Sequence, residues 1–279
     1  MTRLIFTISI FIAFFSCQND NHTQNKPYEL VMDGIYFEIV DSTNTNPNRY
    51  TIDNQLYKGD NSYIYNYYYE NLDGEKFLSE LKQGIEKWKL VPIDSANEKT
   101  FTKVKMTVNE SNPVSFPSDY SQTVIDYEIL NQTGESRGYS STGLVENQQN
   151  IWMHPPRDLL FRILQLNPWP FIQKPYEVGN TFGWKLGIGD AWGDERWKNF
   201  EGSVENVYHY EITDKAYFSV LMGDLECFKI EATAESRIGK SGLTAYFNQE
   251  YGFVKLEYLN IDSSRLVMEL VEMNIPKKE

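Results

Sequence analysis

The C-terminal third of the chain alternates between apolar and polar positions, as strands with one buried face do. Residues 228–234 carry Phe, Ile and Ala at every second position, and residues 243–247 repeat the alternation. Turn-forming pairs such as Gly223-Asp224 and Asp262-Ser263 lie between such segments. We therefore predict an antiparallel meander with one wetter face over residues 204–273.

The preceding part of the chain contains further β-prone segments that are rich in aromatic and β-branched residues. The predicted strands cover residues 28–32, 34–40, 62–69, 101–108 and 123–130. The Gly-, Ser- and Gln-rich stretch that follows, as far as Asn150, predicts a loop.

Two other segments have the periodicity of amphipathic helices. The first runs from a candidate cap at Asp73 to about Lys89, and its apolar face would hold Phe77, Leu81, Ile85 and Trp88. The second runs from Pro156 to Leu166 and is stopped by Pro168.

Together these elements predict a mainly β protein of the α+β class. Its twisted antiparallel sheet, or half-barrel meander, must bury its apolar face, and the two short helices are available to cover it. The arrangement over residues 204–273 resembles the half-barrel fold of periplasmic proteins that handle lipoproteins. No motif of that family is matched, so the resemblance implies an architecture and no transport function.

The N-terminus has the layout of a secretory signal peptide. Arg3 precedes an apolar run from Leu4 to Phe15, which is shorter than the roughly 20 residues that a bilayer span needs. The run ends in Phe14-Phe15-Ser16-Cys17, a small residue followed by cysteine. This ending resembles the lipobox of Bacteroidetes-type bacterial lipoproteins. The resemblance implies cleavage before Cys17, a lipid on its thiol and an acylated amino terminus.

These boundaries divide the chain into three parts. We expect a signal peptide over residues 1–16, a lipidated Cys17 with a polar tether over 17–27, and a single β-rich domain over 28–279. Several buried acyl chains would hold the protein on a membrane, because each methylene contributes about 0.8 kcal/mol. The polar run after Cys17, with Asp20, resembles the surface-export signals of Bacteroidetes-type lipoproteins, which implies the periplasmic or the cell-surface face of the outer membrane.

The charge balance narrows the possible partners. The 279 residues include 26 basic and 39 acidic side chains, for a formal net charge of −13. Such an acidic body repels phosphate backbones, so we expect no nucleic-acid partner and no polybasic attachment to lipid. The chain has two cysteines. With Cys17 lipidated, Cys227 would be a buried small residue without a disulfide partner.

Motifs for catalysis, metals and cofactors are missing from the sequence. His22, His154 and His209 have no second ligand at metal-binding spacing, and neither a G-x-S-x-G elbow nor a P-loop occurs. Gly187 and Gly189 match the first two glycines of a dinucleotide-binding fingerprint, but the third glycine is missing, so we expect no dinucleotide site there. The prediction is a non-enzymatic protein without cofactor or metal.

A tryptophan-rich segment carries the candidate ligand chemistry. Five of the six tryptophans lie between residues 152 and 197. Over residues 182–200 they are interleaved with charge, and the candidate ligand-binding residues are Trp184, Asp190, Trp192, Asp194, Glu195 and Trp197. Flat rings beside carboxylates suit a sugar, although large aromatic side chains are equally suited to core packing.

Three functions therefore stay open. The first is a non-catalytic envelope lipoprotein that binds or scaffolds an envelope component, with an amphipathic ligand in the concavity of the sheet. The second is glycan binding through Trp184, Trp192 and Trp197. The third is a hydrolase that uses Asp190, Asp194 or Glu195, because a glycosidase needs two carboxylates that flank a cleft.

Overall fold

A computed structural model describes residues 28–31, 34–39, 54–82, 88–110 and 122–276. The predicted signal peptide 1–16, Cys17 and the tether 17–27 lie outside the described residues. The strands are β1 (Tyr28–Val31), β2 (Ile35–Glu38), β3 (Ser62–Glu70), β4 (Lys76–Leu81), β5 (Trp88–Pro92), β6 (Phe101–Val108), β7 (Thr123–Asn131), β8 (Ser136–Glu146), β9 (Asn150–Met153), β10 (Phe171–Gln173), β11 (Thr181–Ile188), β12 (Val204–Val220), β13 (Gly223–Ser236), β14 (Gly239–Asn248), β15 (Gly252–Leu259) and β16 (Arg265–Asn274). Short 3₁₀ helices cover Ile93–Ser95, Leu159–Leu166 and Asp190–Trp192.

Within these ranges, β3 to β16 form one sheet of 14 strands, and β1 pairs with β2 in a separate hairpin. Every pairing in the large sheet is antiparallel. The strand order is β10-β9-β8-β7-β6-β4-β3-β16-β15-β14-β13-β12-β11, with β5 beside β4. The predicted mainly β fold and the C-terminal meander are therefore confirmed.

The sheet curls until its two edge strands approach each other. The ring of Phe171 on β10 lies 4.8 Å from the ring of Phe182 on β11. The β1–β2 hairpin contacts both sides of this seam, because Gln173 donates to the Gly34 carbonyl at 3.2 Å and Gly34 packs against the backbone of Gly183. The Asn150 side chain accepts a hydrogen bond from the Tyr36 N–H at 2.8 Å. The result is a half-barrel with a covered seam.

The helix Leu159–Leu166, here called the buried helix, covers the concave face of the sheet. Its buried residues are Leu160, Phe161, Ile163, Leu164, Gln165 and Leu166. The ring of Phe161 packs edge-on against Tyr67 of β3, with 4.8 Å between centroids. Its last carbonyl, on Leu166, accepts a hydrogen bond from the Ser241 hydroxyl at 2.8 Å. The helix predicted over 156–166 is thus present, as a 3₁₀ helix that begins three residues later.

The other predicted helix, over residues 73–89, is wrong. Residues 76–81 and 88–92 form the strands β4 and β5, which pair with each other from Phe77↔Pro92 to Leu81↔Trp88. Apolar residues four positions apart share a face in a strand as well as in a helix, so Phe77 and Leu81 fit both structures. Residues 83–87, including Ile85, lie outside the described residues.

The loop predicted before Asn150 is also wrong over most of its length. Residues 136–146 form β8, which pairs with β7 on one side and β9 on the other. Small and polar residues form a strand here because β7 supplies backbone partners along residues 136–144, while β9 pairs only with residues 144–146. Gly138 fits this site because a Cβ there would lie only 3.0 Å from the Ile129 side chain.

Candidate functional site

The concavity that was expected to admit an amphipathic ligand is occupied by side chains of the described residues. Tyrosines from several strands reach across it, and five of them donate the hydroxyl hydrogen to a backbone carbonyl. Tyr65 bonds to Phe253 at 3.0 Å and Tyr210 bonds to Trp169 at 2.9 Å. Burial raises the pKa of both hydroxyls, so they stay protonated donors. The concave face therefore functions as a core.

Five of the six tryptophans, among them the candidate Trp197, are buried in the core, and three of the five pack together. Trp152, Trp169 and Trp184 pack as a triangle with ring centroids 5.2 to 5.6 Å apart. Trp184 is 2% exposed and its indole N–H bonds to the Tyr210 hydroxyl at 3.1 Å. The expectation that Trp184 offers a surface to a sugar is therefore wrong, because the pleat of β11 turns this ring inward.

Outside the core, a pocket of about 530 Å³ lies beside the buried helix. Five charged side chains line it, namely Arg137, Asp158, Arg162, Asp194 and Arg196. Its other walls include Leu81, Trp88, Tyr139 and Leu159. The volume falls in the range of about 300 to 1,000 Å³ that is usual for small-ligand sites. This pocket is the candidate functional site.

One wall of the pocket is built by the segment between β11 and β12, residues 189–203, here called the Trp loop. The ring of Trp197 stacks on Trp88 of β5, with centroids 6.5 Å apart and planes 15° from parallel. The Arg196 guanidinium lies 4.2 Å from the Trp88 ring centroid and 5.2 Å from that of Trp197. These cation–π contacts fix the Trp loop against β5.

Arg162 joins the buried helix to the same loop. Its guanidinium donates to the Ala191 carbonyl at 2.7 Å and lies 5.3 Å from the ring centroid of Trp192. Trp192 is partly buried against the core, and its carbonyl accepts the indole N–H of Trp197 at 3.3 Å. The ring of Trp192 therefore supports the arginine that lines the pocket.

The predicted carboxylates have separate roles. Asp194 lines the pocket and accepts the Arg196 Nε–H at 2.7 Å, and this bond lowers the pKa of Asp194 below its usual value. Asp190 accepts the backbone N–H of Gly202 at 2.9 Å, which closes a turn of the Trp loop. Glu195 is exposed. Of the three, only Asp194 lines the pocket, and it stays ionised beside Arg196.

The remaining candidates from the sequence lie elsewhere. His154 is half-buried against Trp152 and Trp169, and desolvation lowers its pKa to about 3. His209 is exposed on β12. Cys227 is buried, and desolvation raises its pKa to about 11, so its thiol stays protonated at neutral pH. In the described ranges no three His, Cys, Asp or Glu side chains gather as a metal site would require.

Sequence reasoning missed several residues of the pocket. Trp88 was assigned to a helix face and Arg137 to a loop, whereas the structure places them on β5 and β8. Arg162 lies on the correctly located helix, at the polar position of its apolar stretch. A charged residue that interrupts a buried segment was the one local sign of a site. None of the helices in the part of the chain that the structure describes has the length and apolarity to cross a bilayer.

No protein-family model matches the chain, and no curated protein matches it. Among solved structures it is similar to a candidate lipoprotein from Parabacteroides distasonis, with a TM-score of 0.43, 11% identity, and coverage of 78% of this chain and 97% of that one. A candidate exported protein from Bacteroides fragilis with a YmcC-like fold has a TM-score of 0.39 and 12% identity, over 79% of this chain and 98% of that one. The hypothetical lipoprotein YmcC from Escherichia coli has a TM-score of 0.35 and 9% identity, over 77% of this chain and 86% of that one. The fold described above rests on this chain's own strand pairing.

Proposed function

We propose that this chain is a non-catalytic lipoprotein of the cell envelope that binds an envelope component at the pocket beside the buried helix. Cys17 carries the lipid, and residues 18–27 hold the folded body away from the membrane. The observation that supports binding at the pocket is that aromatic side chains and the buried helix fill the concave face. A ligand must therefore bind outside that face, and among the described residues this pocket offers charged side chains beside aromatic rings.

The lipid anchor is tested by labelling cells with radioactive palmitate. We expect label on the wild-type protein and none on Cys17→Ser, which should also move from the membrane fraction to the soluble fraction. Cys227→Ser is the matched control, because Cys227 is the other cysteine of the chain and should leave labelling unchanged. Label retained by Cys17→Ser, or an intact leader in the mature protein, would contradict the anchor.

The proposed location is the outer membrane. Density-gradient separation of the two membranes should place the wild-type protein with outer-membrane markers. Protease added to intact cells then distinguishes the two faces, because only a surface-exposed body is degraded. Recovery with the inner membrane would contradict this part of the proposal.

A second candidate is glycan binding at the same pocket. It is favoured by Tyr139, which lines the pocket and is 61% exposed, so that its ring is available to stack on the apolar face of a sugar. On a glycan array, Trp192→Ala and Tyr139→Ala should each weaken binding while thermal unfolding stays cooperative. Tyr217→Ala is the control, because this ring is 74% exposed and does not line the pocket. The absence of binding to any glycan would refute this candidate.

A further inference from the structure

The pocket concentrates positive charge on an otherwise acidic protein. Three arginines line it against two aspartates, whereas the whole chain has a net charge of −13. Asp194 is ion-paired with Arg196 and also interacts electrostatically with Arg162, so the lining keeps one arginine more than it has aspartates. A pocket with excess guanidinium favours a ligand that carries a negative group.

Arg162 is the best-positioned of these arginines. The Ala191 carbonyl and the Trp192 ring hold its guanidinium in place, as described above. Only one of its five N–H donors makes that bond, which leaves others for a ligand. An arginine that is fixed in advance loses less side-chain entropy when it binds a carboxylate.

Two further features of the pocket indicate a ligand. Trp88 lines the pocket at 8% exposure, and its buried indole N–H has no hydrogen-bond partner. Buried polar groups are usually paired, so this N–H is open to an acceptor, as the core indoles of Trp152 and Trp169 are. Leu159, which also lines the pocket, has a φ of +52°, a strained conformation for a branched residue. Such strain occurs preferentially at ligand sites.

We infer that the pocket binds an acidic saccharide, with Arg162 as the main contact to its carboxylate and Tyr139 stacking on a sugar ring. This inference rests on the proposed glycan binding and adds the chemical class of the sugar. Arg137 lines the same pocket and supplies a second cation, because its ion pair with Glu135 is exposed and therefore weak.

The test measures calorimetric affinities for a panel of uronate oligosaccharides and for the same oligosaccharides after carboxyl reduction. Wild-type protein should bind at least one uronate more tightly than its reduced form, and added salt should weaken that binding. Arg162→Gln should lower the affinity roughly 10- to 100-fold, the usual effect of losing a charged hydrogen bond. The affinity of Arg162→Lys should lie between those of the wild type and Arg162→Gln, because lysine keeps the charge but loses the planar guanidinium that binds a carboxylate through two hydrogen bonds.

Two further variants and the possible outcomes distinguish specificity for acidic saccharides from glycan binding in general. Arg237→Gln removes an exposed arginine that donates to the backbone carbonyl of Glu201, and it should leave the sugar affinities unchanged. Arg137→Gln, at an exposed side chain, keeps the test valid if Arg162→Gln unfolds, and should also weaken uronate binding. Equal binding of uronates and reduced sugars would overturn the acidic specificity and leave glycan binding intact. Binding of no sugar would overturn both, and so would binding of the anchor-free Cys17→Ser protein to phosphatidylglycerol vesicles instead of sugars, whereas palmitate labelling would still decide the anchor.

Discussion

The cost of adding a methyl group at Gly252, the first residue of β15, combines two separable effects. Gly252 and Gly74 both have a φ of +79°, so alanine is strained equally at the two positions. A Cβ at Gly74 would meet nothing within 4 Å, whereas one at Gly252 would lie 2.2 Å from the Tyr57 hydroxyl oxygen. Gly74→Ala therefore measures the backbone strain alone, and Gly252→Ala adds the collision.

The two magnitudes follow from the surroundings. The left-handed conformation costs an alanine about 1 to 2 kcal/mol, which we expect for Gly74→Ala. At Gly252 the ring of Tyr57 must also move, although it is fully buried and packs 5.1 Å from Tyr63. Overpacking of this kind costs about 1 to 3 kcal/mol. The movement also breaks the 3.1 Å bond from the Phe253 N–H to the Tyr57 hydroxyl, for about 1 to 3 kcal/mol more. Gly252→Ala should therefore cost about 5 kcal/mol.

Urea unfolding followed by tryptophan fluorescence measures both losses, provided that the slope m is unchanged. A double variant adds a second criterion. Tyr57→Phe removes the oxygen at 2.2 Å, so in the Gly252→Ala background it should cost at least about 1 kcal/mol less than it does in the wild type. The reasoning fails if the two alanine variants differ by less than about 0.5 kcal/mol, or if the double variant is additive.

Three further predictions concern a half-buried histidine, a half-buried glutamate and the seam. Burial holds the pKa of His154 at about 3, against about 6.5 when unfolded, so the unfolded state binds the extra proton between these values. Stability should therefore fall as the pH drops through this window, by roughly 3 kcal/mol at pH 4, and His154→Phe should remove that loss in acid denaturation curves. Glu146 accepts the backbone N–H groups of residues 55, 56 and 57. Glu146→Gln replaces one acceptor by a donor and should cost about 1 to 3 kcal/mol in urea unfolding. A Cβ at Gly34 would lie 1.6 Å from the Gly183 carbonyl oxygen, so Gly34→Ala should release the β1–β2 hairpin, seen as faster amide exchange over residues 34–39.

Each of these predictions has a matched control. His209→Phe, at an exposed histidine, should leave the acid loss in place, and an unchanged pH profile in His154→Phe would contradict the first prediction. Glu135→Gln alters an exposed glutamate and should cost little, so equal losses at Glu135 and Glu146 would count against the second. A Cβ at Gly189 would meet nothing within 4 Å, so Gly189→Ala should leave amide exchange over residues 34–39 unchanged. Unaltered exchange in Gly34→Ala would refute the third prediction.

Local sequence determined those parts of the fold in which one strand pairs with its neighbour in the chain. The alternation over residues 228–248 fixes which side chains of β13 and β14 face inward, because the period of a strand is two. The segment 156–166 is apolar on one side and bounded by prolines, so the buried helix was also predictable. By contrast, residues 73–89 fit a helix and a hairpin equally well, and pairing of β4 with β5 decided between them.

The turn before β4 contains a local sign that was misinterpreted. Asp73 was taken for a helix cap, yet it lies in a turn in which the Asn71 side chain accepts the N–H groups of Asp73 and Glu75. Asn131 makes the same bonds to Thr133 and Glu135 before β8. An Asn followed three residues later by Gly-Glu is therefore a hairpin signal in this chain, with the glycine at positive φ both times.

The candidate site was decided by the tertiary structure. The sequence indicated one site made of the tryptophans and acids of residues 182–200. In the structure the pleat of β11 turns Trp184 into the core, and the Trp loop places Trp197 against Trp88 of β5. Arg137, Arg162 and Arg196 are far apart in the chain and share one pocket because the sheet curls around the buried helix. Periodicity along a chain specifies which way a side chain points from its own element, whereas the neighbours it meets depend on how distant elements pack, which no local pattern encodes.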